Sequence, residues 1–250
     1  MAVEYLAGSI AILFNETSAS YANPFAYDSG TTGADRCLVV TIMHENNGTG
    51  PSAVTYDGVS LTKSSAIADP NSGDDFSETG SLWTLTNPAT GTNNIVITGN
   101  TDGRDGGGTA AVYTGVDQST PIGNTATNDA TRGTEATTVS ITKQSVDNLI
   151  VWTYVYDQGL KEMSVIADNV ALVLAETDNT ASRASSFGTG YRSAGTGSVL
   201  VGASRTSDDS EDNGIAAIEL LASQVGPNTP INPSITSLLA TSARLNWEQG

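Results

Sequence analysis

The sequence predicts an all-β protein, an antiparallel two-sheet β-sandwich of jelly-roll type, and three observations predict it. Short runs rich in Val, Ile, Thr, Leu and aromatic residues recur along most of the 250 residues, each bounded by Gly, Pro, Asn or Asp. Helical spacing with capping signals persists nowhere, so no helix has support. Charged residues make up only 15% of the chain while Thr, Ser, Asn and Gly recur throughout, a mix that suits strands and turns.

In chain order, SIAILF (9–14) and CLVVTIMH (37–44) are the first strands expected. AVTYDGVSLTK (53–63) follows, with Asp57-Gly58 set between alternating apolar residues, the pattern of a tight hairpin whose turn needs positive φ. SLWTLT (81–86) and NIVITG (94–99) flank NPATGTNN, where Pro88 fixes φ and Gly91 can turn left-handed. AAVYTG (110–115), TTVSIT (137–142), NLIVWTYVYD (148–157), VALVLAET (170–177), SFGTGYRS (186–193), SVLVGASR (198–205) and GIAAIELL (214–221) complete the set.

The two halves of this series echo each other. CLVVTIMHEN resembles NLIVWTYVYD, and residues 81–115 share with 186–220 an order of strand, glycine turn, apolar strand, acidic loop and apolar strand. Two sheets that each need a partner for an apolar face produce such a rhythm when they pack as a sandwich, although any β-rich chain echoes itself to some degree.

Ten basic against twenty-seven acidic residues give a formal charge of −17, which repels phosphate backbones and anionic lipid heads. Neither nucleic-acid binding nor membrane insertion is therefore expected, and no stretch reaches membrane-spanning length. Cys37, in RCLVVTI, is the single cysteine, so an internal disulfide and a cysteine-based zinc site are both excluded, and a small buried hydrophobe is its natural reading. His44 is likewise alone, which leaves a Ser/His/Asp array without support. The opening MAVEYLAGSIAILF carries Glu4 where a secretory leader would carry basic residues. The expectation is a protein released by lysis, by a dedicated exporter, or within a particle assembled in the cytoplasm.

QVGPNTPINP, with three prolines in ten residues, reads as a linker. The expected organisation is a β-sandwich over 1–222, a Pro-rich linker over 223–233 and a further module from 234 to 250. Residues 227–250, PNTPINPSITSLLATSARLNWEQG, resemble the opening of a fibronectin type III module, in which a proline-led first strand precedes a second ending in Leu-x-Trp, with Trp247 as the core indole. Such a module closes its sandwich only with about a hundred residues. The resemblance implies either the front of a longer protein or a segment that docks on the main domain. VTYDGVSLT, LWTLTNPATGTNNIVIT and YTGVDQSTPIG together resemble a β-sandwich domain of bacteriophage structural and bacterial surface proteins, spanning 1–222. That resemblance implies a structural or adhesive role and transfers no catalytic residue.

Two sets of residues are candidate sites. Carboxylates gather in ADPNSGDD (Asp69, Asp74, Asp75), GNTDGRDGGG (Asp102, Asp105) and SDDSEDNG. In the last, Asp208, Ser210 and Asp212 alternate as calcium ligands do, but glycine at the sixth position and a bidentate glutamate at the twelfth are missing, and solvated turns compete. Calcium is the one cofactor for which the chain offers ligands. Trp152, Tyr154, Tyr156 and Tyr191 can stack on sugar faces or form a subunit interface, while the alternation around Trp152 favours burial in the sandwich. GRDGGGT lacks the lysine of a phosphate loop, so its glycines are assigned to a mobile loop tip.

The expected protein is thus not an enzyme. It is a structural component of a phage particle, a capsid decoration or fibre- or tail-associated protein whose partners are capsid or tail proteins. Homo-oligomerisation follows from edge strands that must be paired or covered, and projecting modules would meet cell-surface glycans. The alternative is a carbohydrate-binding or adhesin module of a bacterial surface protein.

Overall fold

A computed structural model describes residues 1–16, 23–45, 50–67, 78–99, 106–130, 136–156, 163–176, 186–205 and 213–224. The described residues are all-β and every strand pair is antiparallel. Where two sheets were expected, four form.

The first central sheet runs β7 (Thr62–Ile67), β8 (Glu78–Thr86), β4 (Cys37–Glu45), β10 (Gly106–Thr114), with β1 (Glu4–Tyr5) and β2 (Ala11–Glu16) both pairing β10. The first outer sheet is β3 (Phe25–Asp28), β9 (Thr92–Thr98), β5 (Ala53–Tyr56), β6 (Val59–Ser60). The second central sheet runs β11 (Ile122–Ala130), β18 (Asn213–Leu220), β13 (Leu149–Tyr156), β16 (Ser186–Arg192), β15 (Val170–Glu176). The second outer sheet is β12 (Ala136–Lys143), β17 (Gly197–Arg205), β14 (Met163–Val165).

Three apolar seams glue these four layers. Leu38, Val40, Ile42, Trp83 and Val112 meet Tyr27, Val54, Tyr56 and Ile95 between the first outer and first central sheets. Cys37, Val39, Met43, Leu82 and Tyr113 meet Leu149, Val151, Val155, Phe187 and Ile218 between the two central sheets. Ile150, Trp152, Tyr154 and Ala217 meet Val139, Ile141, Val199 and Val201 in the third seam. A central strand is therefore covered on both faces, which is why every residue of β13 and β18 is buried and why their sequences are nearly unbroken apolar runs.

The echo in the sequence is a repeat in the structure. Strand order β2-β10-β4-β8-β7 in the first half matches β11-β18-β13-β16-β15 in the second, and β3-β9-β5 matches β12-β17-β14. Even an irregularity repeats. The pairing of β7 slips between Lys63 and Ser65 opposite Trp83 and Leu82. That of β15 slips between Ala171 and Val173 opposite Gly190 and Thr189. Bulges are designed features, and this pair fixes the correspondence: Trp83 with Gly190, Val40 with Trp152, and Cys37 with Leu149. Aligning CLVVTIMHEN with NLIVWTYVYD sets Cys37 against Asn148 instead, one residue out, and one residue exchanges the two faces of a strand.

The central sheets face each other across the second seam. β7 packs on β11, and β8 packs on β18 and β13. Phe187 of β16 lies over Gly107 of β10, and Tyr191 of β16 stacks on Tyr5 of β1 at 5.9 Å. Gly107 is thus no mobile tip: it sits in β10, and a Cβ there would run into the Phe187 ring.

Local turn chemistry follows the sequence. Asp57 and Gly58 have φ of 50° and 74° and close a two-residue hairpin with Tyr56 opposite Val59. Gly91 takes φ 78° in the turn after Pro88. Between the halves, the Asp117 carboxylate accepts the Ser119 amide at 2.8 Å, its hydroxyl at 2.7 Å and the Thr120 amide at 2.9 Å, and these bonds hold its pKa below the ordinary value.

Candidate functional site

The four aromatic residues singled out from sequence do not form one surface. Trp152 and Tyr154 are fully buried and Tyr156 nearly so, all three in the third seam, with the Trp152 and Tyr154 rings 6.5 Å apart. Tyr191 points the other way, half-buried against the central seam beside Tyr5. No ring of the first three is open to a sugar or a partner. The neighbouring strand makes room for them: Trp152 lies opposite Gly190 and Tyr154 opposite Gly188, and a Cβ at either glycine would strike the facing ring. Burial raises the pKa of the Tyr154 hydroxyl, as an inaccessible core phenol requires.

Asp208, Ser210 and Asp212 lie outside the described residues, as do Asp69, Asp74, Asp75, Asp102 and Asp105. Among the described residues, no group of three or more His, Cys, Asp or Glu side chains is placed to hold a metal ion.

Cys37 is completely buried on the central seam, and desolvation pushes its thiol up to about 12. The thiolate is the reactive form, so a thiol reagent near neutral pH should leave the native chain unlabelled and label it after unfolding in urea. Stoichiometric labelling of the native protein within minutes would contradict this placement.

Among the described residues, a groove of about 380 Å³ lies at the junction of the halves. Ser60, Thr62, Thr84, Thr86, Ser119 and Thr120 line it with hydroxyls, over Leu85, Pro121 and Ile122. No ionisable side chain lines it, so it offers hydrogen bonds and apolar contact but no general acid, base or nucleophile with an activating partner.

Sequence reasoning missed the most organised polar cluster of the described residues. Glu219 is fully buried within GIAAIEL, and its carboxylate accepts from the Gln144 amide (2.6 Å), Asn148 Nδ2 (2.7 Å), Gln144 Nε2 (3.1 Å), Asn124 Nδ2 (3.2 Å) and the Asn124 amide (3.2 Å). Lys143, 1% exposed, donates to the Val146 carbonyl at 3.2 Å and to the Ser193 carbonyl. Desolvation lowers the Lys143 pKa and the Glu219 charge opposes that shift. Asn148 in turn accepts the Ala222 amide at 3.0 Å, so the cluster ties β11, the β12–β13 turn and the end of β18 together. The position equivalent to Glu219 in the first half is Val112, an ordinary core residue. With every acceptor direction taken by a protein N–H, the carboxylate is a structural clamp.

Comparison with family models, with curated proteins and with solved structures finds no match.

Proposed function

We infer that this chain is a non-enzymatic structural component of a phage particle, a capsid decoration or fibre- or tail-associated protein. On this reading each half is a jelly roll, and residues 223–250 lead outward into fibronectin type III-like modules. The observation that carries the reading is the layered, duplicated construction: two equivalent halves sealed face to face through a continuous apolar seam. In each half the central order β2-β10-β4-β8, or β11-β18-β13-β16, with its covering sheet follows the interleaved order of a jelly roll, an architecture common in capsid proteins. The seams are filled by packing and the junction groove carries no ionisable group, a construction suited to a scaffold.

The test is to raise antibodies against the full chain and image the particles released on lysis of the source cells. Decoration of capsids, fibres or tails at regular positions is the expected result. Antigen confined to the soluble fraction or to the cell envelope would overturn the assignment. Carbohydrate binding stands as the second reading because hydroxyl groups ring the junction groove over an apolar floor. It predicts retention of the full chain on a glycan array and loss of that retention in Thr86→Val.

A further inference from the structure

The two halves serve as controls for each other, and at one pair of equivalent edge strands they differ in polarity. β7 and β15 are the corresponding edge strands of the two central sheets, each paired on one side only among the described residues. β7 reads Thr62-Lys63-Ser64-Ser65, with Lys63 reaching over the Trp83 ring at 5.0 Å, and a polar, lysine-bearing edge resists pairing with another chain. At the four matching positions β15 reads Val170-Ala171-Leu172-Val173, and Leu174-Ala175, apolar like Ala66-Ile67 of β7, extend the run, so that six apolar residues carry no charge or proline. Val170 is 43% exposed and Leu172 to Ala175 are only partly buried, some against the central seam and Leu174 against the third. Among the described residues, no backbone bond from another segment reaches this outer edge.

The order of residues names the occupant. Ala171-Leu172-Val173-Leu174-Ala175 is a palindrome about Val173. When two copies of this strand run antiparallel across a two-fold axis at Val173, alanine comes beside alanine and leucine beside leucine, and the free N–H and C=O groups of both edges are satisfied. A foreign strand would need no such symmetry. We propose that β15 is the interaction edge of this protein and that its partner is the β15 strand of a second copy, the two central sheets joining into one continuous sheet. The proposal goes beyond the particle reading and does not rest on it.

Sedimentation velocity of the full chain at tens of micromolar should show a species of twice the 25.6 kDa mass. The triple substitution Ala171→Lys, Leu172→Ser, Val173→Ser writes the Lys63-Ser64-Ser65 edge into β15, a sequence this bulge already accommodates in the other half. It should leave the far-ultraviolet circular dichroism unchanged and weaken the dimer about tenfold or more. A second measurement does not depend on that variant folding. At the two-fold axis the Val173 residues lie about 5 Å apart between Cα atoms, within disulfide range. Val173→Cys should therefore form a cross-linked dimer on mild oxidation while Val170→Cys, off the axis, does not. A chain monomeric at every concentration, a dimer indifferent to the triple substitution, or equal cross-linking at both cysteines would each overturn the proposal.

Discussion

Replacing Trp152 with alanine should lower the unfolding free energy by about 3–5 kcal/mol, the range for deleting a large aromatic from a packed core. The read-out is an earlier midpoint of urea unfolding at an unchanged slope. Trp152 fills the third seam on a strand buried along its whole length, and the cavity left behind would be bounded by Val139, Val199, Val201 and Ala217, side chains too short to collapse into it. The indole Nε1 is buried and meets no hydrogen-bond acceptor among the described residues. Trp152→Phe keeps much of the volume and removes that orphaned donor, so it should cost clearly less than the alanine variant. Gly190→Ala probes the same contact from the facing strand. Its methyl would meet both the Trp152 ring and the Val170 carbonyl oxygen, and because backbone cannot swing aside, a loss of about 2–3 kcal/mol is expected from overpacking. If Trp152 were instead a solvent-facing platform for a sugar, Trp152→Ala would change stability by no more than about 0.5 kcal/mol.

The first half solves the same packing problem from the other strand. Trp83 of β8 occupies the place of Gly190, and Val40 of β4 the place of Trp152. One indole in each of the two outer seams is kept while the strand that supplies it changes, and Trp83 anchors its Nε1 on Ser81 Oγ at 2.9 Å where Trp152 has no such partner among the described residues. Volume at a site is conserved more strictly than identity, as close packing demands.

That exchange also explains what the sequence could and could not convey. Each of the twelve expected runs overlaps at least one strand, and the Asp57-Gly58 hairpin forms as its residues require. The strands with no expectation attached are β1, β3, β11 and β14. β11, with the order Ile-Gly-Asn-Thr-Ala-Thr-Asn-Asp-Ala, is an edge strand with little apolar alternation to betray it, and β1, β3 and β14 are no longer than four residues. The number of sheets was hidden for a related reason. Alternation reports one buried face, whereas LIVWTYVY has two, so the run signals burial without saying which residue belongs to which seam. The same density of apolar residues lets the internal echo slip by one position, until the paired bulges of β7 and β15 fix it. The burial of Trp152 was legible from its apolar surroundings. The glycines opposite it, 38 positions downstream at Gly190, were not.

Glu219 was the least legible of all, since a carboxylate in GIAAIELL gives no hint that its ligands are Asn124, Gln144 and Asn148, and it carries the second large expectation. Glu219→Ala should cost about 3–5 kcal/mol, because it strips several buried N–H groups of their acceptor and leaves Lys143 buried without the opposing charge. The isosteric Glu219→Gln separates this clamp from mere space-filling. Every group that meets the carboxylate is an N–H donor. An amide keeps one acceptor oxygen and turns an NH₂ toward donors that cannot accept from it, so Glu219→Gln should rescue the alanine variant only in small part. The loss should concentrate where the clamp acts, and hydrogen exchange should speed up first in β11 and the β12–β13 turn, ahead of β4 and β10 in the other half. A Glu219→Gln protein with the urea midpoint of the parent would show that the charge and the acceptor count do not matter, and the carboxylate would then be a filler like Val112, its counterpart across the repeat.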